Sequence, residues 1–218
     1  MNLGGRHQDT SPGKWCAVVL AGGESRRFGK DKALAQMGDK RLIEYGLDSL
    51  RGVFEEALIV AKNPRQLQFL DVPVVCDVIP GAGSLGGILT ALIHAPAERC
   101  FVVACDMPFL NGSLVRLLLE CGQGYDAVVP LVNGEPEPLH AFYSKRCITP
   151  ILKSILERDY RVIDVYKHVP TLWVKEEQWA PLDPDGLSFV NINTPSDFEN
   201  ALKRLGKGET GYEGGRSL

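Results

Sequence analysis

The sequence predicts a three-layer α/β/α domain around a mostly parallel but mixed central sheet, and three observations carry that prediction. Short apolar runs alternate with amphipathic segments, as they do in consecutive βα units. The runs are almost continuously apolar, which suits strands covered by helices on both faces. The alternation lapses in the second half, where further strands make the sheet mixed and an irregular stretch builds one wall of a cleft.

Taken in order, residues 16–21, 57–62, 72–76, 101–105 and 126–131 read as the core strands. Between them, Ile43, Leu47, Leu50 and Phe54 recur at helical spacing, as do Leu85, Leu89 and Leu92, then Leu114, Leu117 and Cys121. In the second half, 138–143 and 171–174 read as strands and 148–157 and 196–205 as helices, the last with Pro195 at its first turn. A single domain over 15–205 is expected. Residues 1–14 and the glycine-rich, charged 206–218 are expected to be disordered.

With 218 residues, 44% of them hydrophobic, the chain can bury a sizeable core. A net charge of −3 argues against a dedicated nucleic-acid binder, which would carry a basic face. A small phosphorylated ligand remains open, because a local cluster of cations suffices for it. No stretch approaches the roughly 20 apolar residues of a membrane span. Residues 1–14 lack the apolar core of a signal peptide, so a soluble, cytoplasmic protein is expected. The six cysteines show no C-x-x-C pair and mostly sit in apolar runs, which predicts reduced, buried, structural thiols.

The first chemical signal follows the first strand. Gly22 and Gly23 lead into Glu24-Ser25-Arg26-Arg27-Phe28-Gly29-Lys30-Asp31-Lys32. Glycines at the carboxyl end of a strand let backbone N–H groups close on an anion without a Cβ in the way. Four cations within seven residues, Arg26, Arg27, Lys30 and Lys32, suit a polyphosphate. The bland alternative is a tight turn followed by a solvated basic loop. Neither G-x-G-x-x-G nor G-x-x-x-x-G-K-[ST] is present, which argues against a dinucleotide oxidoreductase and a P-loop NTPase.

The second signal is Asp106, where the apolar run 101–105 stops abruptly at Asp106-Met107-Pro108-Phe109. A carboxylate at the carboxyl end of a central strand faces the same edge as the glycine loop. Mg²⁺ needs only one or two carboxylates, with water and phosphate oxygens filling its shell. A turn or capping aspartate is the bland alternative. Asp77 ends the preceding strand in the same way and leads into Pro80-Gly81-Ala82-Gly83-Ser84-Leu85-Gly86-Gly87.

Together these residues resemble the molybdenum cofactor guanylyltransferases, the MobA-like group of nucleotidyltransferases. The resemblance rests on Leu20-Ala21-Gly22-Gly23-x-Ser25-x-Arg27-Phe28-Gly29-x-Asp31-Lys32, on Cys105-Asp106-x-Pro108-Phe109 and on the second glycine segment. It continues through Glu137-Pro138-Leu139-His140-Ala141-Phe142-Tyr143 and Asn191-Ile192-Asn193-Thr194-Pro195-x-Asp197. Phe28 stands where most relatives carry Met, and Ser84 where they carry Pro. The resemblance implies the Rossmann-like nucleotidyltransferase version of the predicted fold. It implies that the first loop, Gly23 included, wraps a triphosphate beside Lys32, that Leu20, Ala21 and Gly22 touch base and ribose, and that Asp106 holds Mg²⁺. Nucleotide binding carries over to Asp77 and Asn63, and Asp77 or the backbone near Leu85 is expected to select guanine. Arg161, Asn191 and Asn193 fall on the acceptor side. Asn191 and Asn193 alternate along an extended stretch and so share a face, although helix-entry chemistry at Thr194-Pro195 would also explain them.

The implied reaction is attack by the terminal phosphate of molybdopterin on the α-phosphorus of GTP, with release of pyrophosphate and with Lys32, Arg27 and Asp106 as catalytic groups. A phosphate nucleophile is already an anion, so no general base is required, and the sequence offers no convincing catalytic histidine. A protein that inserts or delivers the molybdenum cofactor is a further expected partner. The alternatives are a relative using CTP or another phosphorylated acceptor, and a catalytically silent nucleotide-binding module. A hydrolase elbow at Ala82-Gly83-Ser84-Leu85-Gly86 with His168 is disfavoured. Its first glycine is replaced, and residues 77–80 separate the serine from its strand.

Overall fold

The computed structural model describes residues 15–22 and 32–206. Along the chain, β1 (Trp15–Ala21) is followed by a 3₁₀ turn (Lys32–Leu34), the hairpin of β2 (Gln36–Met37) and β3 (Lys40–Arg41), and α1 (Leu42–Arg51). Next come β4 (Glu56–Ala61), β5 (Val74–Cys76), α2 (Gly83–His94), β6 (Arg99–Ala104) and α3 (Gly112–Cys121). The second half contains β7 (Ala127–Val132), β8 (Glu135–Pro136), β9 (His140–Ser144), α4 (Ile148–Leu156), α5 (Val162–Val165), β10 (Thr171–Val174), α6 (Glu176–Trp179) and α7 (Pro195–Gly206).

The main sheet has the order β10-β7-β9-β6-β1-β4-β5, with β8 paired to β7. Strands β5, β4, β1 and β6 run parallel. Strand β9 is antiparallel to both β6 and β7, and β10 is parallel to β7, so the sheet is mixed as expected. Side chains alternate across the pleat and feed two cores. Ala17, Val19, Ile59, Phe101 and Val103 pack with Ile43 and Leu47 of α1 and Leu114 and Leu118 of α3. Cys16, Val18, Leu58, Val60, Cys100 and Val102 pack with Leu85, Ile88 and Leu89 of α2 and Ile151 of α4. Helices thus cover both faces of one sheet. Each fully buried leucine or isoleucine stabilises the fold by about 1.5–3 kcal/mol through transfer from water.

Several details differ from the sequence reading. Helix α1 ends at Arg51, so Phe54 lies beyond it, although its ring is buried and stacks on Phe101 at 6.0 Å. Strand β5 begins at Val74 instead of 72; Pro73 offers only its carbonyl, which accepts from the Ile59 N–H at 2.9 Å. The β2–β3 hairpin turns at Gly38, whose φ of +66° suits glycine. Gly206 closes α7, while 1–14 and 207–218, where disorder was expected, lie outside the described residues. Of the cysteines, Cys16, Cys100 and Cys147 are buried as expected, but Cys76 is exposed at the end of edge strand β5. No helix among the described residues is long and apolar enough to cross a membrane.

Candidate active site

Parallel strands deliver all their carboxyl ends to one rim, and here four neighbours do so together. Gly22 follows β1, Asn63 follows β4 by two residues, Asp77 follows β5, and Asp106 follows β6 by two residues. Ala21 pairs with Ala61, and a Cβ on Gly22 would lie 3.9 Å from the Lys62 nitrogen, so the β1 and β4 exits touch. Asp106 leaves the sheet through a tight turn closed by Met107 N–H to the Ala104 carbonyl at 3.2 Å. The Cys105 N–H donates to the Leu20 carbonyl at 3.0 Å, which fixes the β6 exit against β1.

Lys32 reaches this rim from the 3₁₀ turn. Its ammonium donates to Asp106 Oδ2 at 2.8 Å and to Asn193 Oδ1 at 2.9 Å. The lysine side chain is only 11% exposed and that of Asp106 20%, so the ion pair is largely withdrawn from solvent. Asn193 is held in turn by the entry to α7. Asp197 Oδ2 accepts from the Asn193 and Thr194 N–H groups at 2.9 and 2.8 Å, and Thr194 Oγ1 accepts from the Asp197 N–H. Helix-entry chemistry and the Lys32 contact therefore coexist in one segment. Ile192 N–H donates to the Asp106 carbonyl at 2.9 Å and ties the segment to the β6 turn. Asn191 is half-buried and precedes that tie.

The other oxygen of Asp106, Oδ1, is buried and has no hydrogen-bond partner among the described residues. An orphaned carboxylate oxygen beside a lysine is the donor a hard cation would take. Among the described residues no group of three or more His, Cys, Asp or Glu side chains could hold a metal. The unpartnered Asp106 Oδ1 suits Mg²⁺, which takes one or two carboxylates and completes its shell with water and ligand oxygens. Glu137, half-buried before β9, is also close enough to matter. Burial raises its pKa and the charge of Asp106 adds to the rise, against the opposing Leu139 N–H bond. Glu137 belongs to the 137–143 stretch, which by its resemblance to the family is expected on the acceptor side.

The Asp77 side lies at the start of α2. Asp77 Oδ1 accepts from the Ile79 N–H at 3.0 Å and from the Thr90 hydroxyl at 3.1 Å. Glycines let the helix come close. A Cβ on Gly87 would sit 3.0 Å from Leu20 Cδ1, and one on Gly86 would sit 3.0 Å from the Ile79 carbonyl and 3.4 Å from Asp77 Oδ1. Leu20 therefore packs on Gly87 and Asp77 on Gly86, with Leu85, Gly86 and Gly87 all buried in the first turns of α2. Thr90 was invisible to sequence reasoning, because a threonine inside an apolar helix looks like core filler.

Other expected site residues fall elsewhere. Arg161, at the N-terminal boundary of α5, is exposed and ion-paired with Asp159 at 3.0 Å and Asp164 at 2.7 Å; no hydrogen bond or ion pair links it to the Lys32 cluster. Asn63 is exposed. Gly23 and Arg27 lie outside the described residues. Ser84 and His168 are both exposed, and no hydrogen bond joins them.

A mostly parallel sheet with a lysine–aspartate pair at its carboxyl rim is an α/β scaffold of the kind that binds a ligand at that edge. Comparison with known proteins makes that specific. Residues 17–171 match the model of the MobA-like NTP transferase domain, and the chain belongs to that family. It is 40% identical to the probable molybdenum cofactor guanylyltransferase of Pelotomaculum thermopropionicum over 194 residues, covering 89% of this chain and 95% of that protein. It is 33% identical to the molybdenum cofactor guanylyltransferase of Desulfosudis oleivorans over 186 residues, covering 84% and 92%. The crystal structure of molybdopterin-guanine dinucleotide biosynthesis protein A from Archaeoglobus fulgidus superposes with a TM-score of 0.78 at 29% identity, covering 88% of this chain and 99% of that one.

Proposed function

We propose that this nucleotidyltransferase transfers GMP from GTP to the terminal phosphate of molybdopterin, forming the guanine dinucleotide and releasing pyrophosphate. The observation that carries the reading is the Lys32 ammonium, 2.8 Å from Asp106 and 2.9 Å from Asn193. That cluster joins the triphosphate side of the rim to the acceptor side. The names of the relatives supply the two substrates.

An acceptor phosphate oxygen forms the new bond to the α-phosphorus of GTP, and the bond from that phosphorus to the bridging oxygen of pyrophosphate breaks. The nucleophile arrives as an anion, so no side chain has to remove a proton. Lys32 stabilises the charge that accumulates on the phosphoryl oxygens in the transition state, as a fixed donor in a part-buried site does best. Arg27 assists with the leaving pyrophosphate. Gly22 and Gly23 present backbone N–H groups to the triphosphate, with Leu20 and Ala21 against the base and ribose. Asp77 or the backbone near Leu85 accepts from guanine, and Asn63 also binds the nucleotide. Arg161, Asn191 and Asn193 bind the acceptor. Asp106 would hold Mg²⁺ through Oδ1, and the cation would screen the mutual repulsion of the two polyanions. The reaction belongs in the cytoplasm, where a cofactor-insertion protein would receive the product.

Pyrophosphate release with GTP, CTP and molybdopterin tests the reading. GTP is expected to be used at least tenfold better than CTP. Asp106→Ala is expected to lose on the order of 10²–10³ in turnover. Retention of more than a tenth of wild-type activity in that variant would refute the assignment. Tight GTP binding without turnover would leave the silent module in its place.

A further inference from the structure

Thr90 lies in the middle of α2, fully buried, in a helix otherwise lined with apolar residues. A threonine in a helix commonly donates to the carbonyl four residues back, and Thr90 does so to Gly86 at 2.8 Å. Two further bonds have no counterpart in that habit. The Val78 N–H donates to Thr90 Oγ1 at 3.0 Å, and the same hydroxyl lies 3.1 Å from Asp77 Oδ1. One hydroxyl thus grips both the Asp77 carboxylate and the backbone just after it. The glycine at 86 makes the approach possible, since a Cβ there would press on Oδ1 and on the Ile79 carbonyl.

The arrangement divides the two carboxylate oxygens. Thr90 has one hydroxyl proton, shared between the Gly86 carbonyl at 2.8 Å and Asp77 Oδ1 at 3.1 Å, so Oδ1 takes the Ile79 N–H outright and the hydroxyl as a shared bond. Oδ2 takes no hydrogen bond among the described residues. We infer that Thr90 is a positioning residue for base selection: it immobilises Asp77 through Oδ1 so that Oδ2 alone meets the donor edge of the base. The inference rests on the reading of Asp77 as the guanine contact. Guanine offers two adjacent donors, N1–H and the 2-amino group, which can both reach the lone pairs of one oxygen, whereas cytosine offers only its 4-amino group. A carboxylate free to rotate would accept from the 4-amino group of cytosine as readily. A fixed one favours the partner whose donors match its orientation.

The test is the ratio of kcat/KM for GTP to that for CTP, measured by pyrophosphate release in the full chain. Thr90→Val keeps the shape and removes the hydroxyl. It is expected to lower the ratio about tenfold, chiefly through a higher KM for GTP, with kcat within threefold. Thr90→Ser restores the hydroxyl and is expected to hold the ratio within threefold of wild type. If Thr90→Val leaves the ratio unchanged while Asp77→Ala collapses it, the inference is overturned and the Asp77 reading survives. If neither variant changes the ratio, the Asp77 reading falls and the inference with it. A fall in kcat and KM together, not rescued by serine, would mark Thr90 as structural only and also overturn the inference. Should Thr90→Val fail to fold, Thr90→Ala carries the same comparisons.

Discussion

The two halves of the sheet bring residues to the rim by different means. In the first half, parallel β5, β4, β1 and β6 place every carboxyl end on the same side, so Asp77, Asn63, Gly22 and Asp106 gather there by topology alone. In the second half, β9 runs the other way, with Val103 paired to His140 and Arg99 to Ser144. Its starting end, not its finish, therefore reaches the rim, and with it comes the turn at 137–139. The segment at 191–193 arrives from outside the sheet and is pinned by Ile192 N–H to the Asp106 carbonyl. On the proposed function, strand direction builds the nucleotide side, whereas the acceptor side is built by tethered loops that depend on individual bonds, and these are what mutation can separate.

The sharpest division comes from the residue that joins the halves. Lys32→Ala is expected to lower kcat about 10²–10³-fold with GTP, a loss read by single-turnover pyrophosphate release. A loss under tenfold would mean that the halves act independently. Next in size, His140 on β9 tests the second half alone. Its ring is fully buried between Phe101 and Phe189, with both nitrogens unpartnered, and burial lowers its pKa to about 3 from 6.5. A depressed histidine leaves stability intact above pH 6.5 and loses it as pH falls towards 3, because the unfolded chain takes the proton first. At pH 4 the loss is about 3 kcal/mol relative to pH 7. His140→Leu is expected to flatten that part of the pH profile in urea unfolding, and an unchanged profile would contradict the burial argument.

On the nucleotide side, Gly86→Ala is expected to cost about 1–3 kcal/mol in stability and to raise the KM for GTP, because its Cβ meets a backbone carbonyl. Gly87→Ala meets only the flexible end of Leu20 and is expected to cost less, a difference that thermal unfolding would read. Smallest of all, Arg161→Ala is expected to raise the KM for molybdopterin by about threefold and leave the KM for GTP unchanged. Arg161 is exposed and already paired with two aspartates, which screens what it can offer. A larger effect on GTP would erase the distinction between the halves.

The same division marks what the sequence discloses. Strands β1, β4, β6, β7 and β10 announce themselves as apolar runs, and Asp106 and Lys32 sit in local signatures next to them. Strands β2, β3 and β8, and helices α5 and α6, have two to four residues each, too few for a period to emerge. The contact between Lys32 and Asn193 spans 161 residues and depends on the tether at Asp106, so no local pattern encodes it. Thr90 is hidden for another reason: its meaning lies in the turn it grips, which sequence places 12 residues away.

The Lys32 contacts have a consequence for how a ligand is received. A free lysine surrenders much of its rotational freedom when it clasps a phosphate, which weakens the clasp. Here that ordering is completed during folding, by two acceptors already in place. On the proposed function, an arriving triphosphate has only to trade places with a neighbour of the ammonium, and a swap between oxygens asks far less of the chain than taming a loose tether.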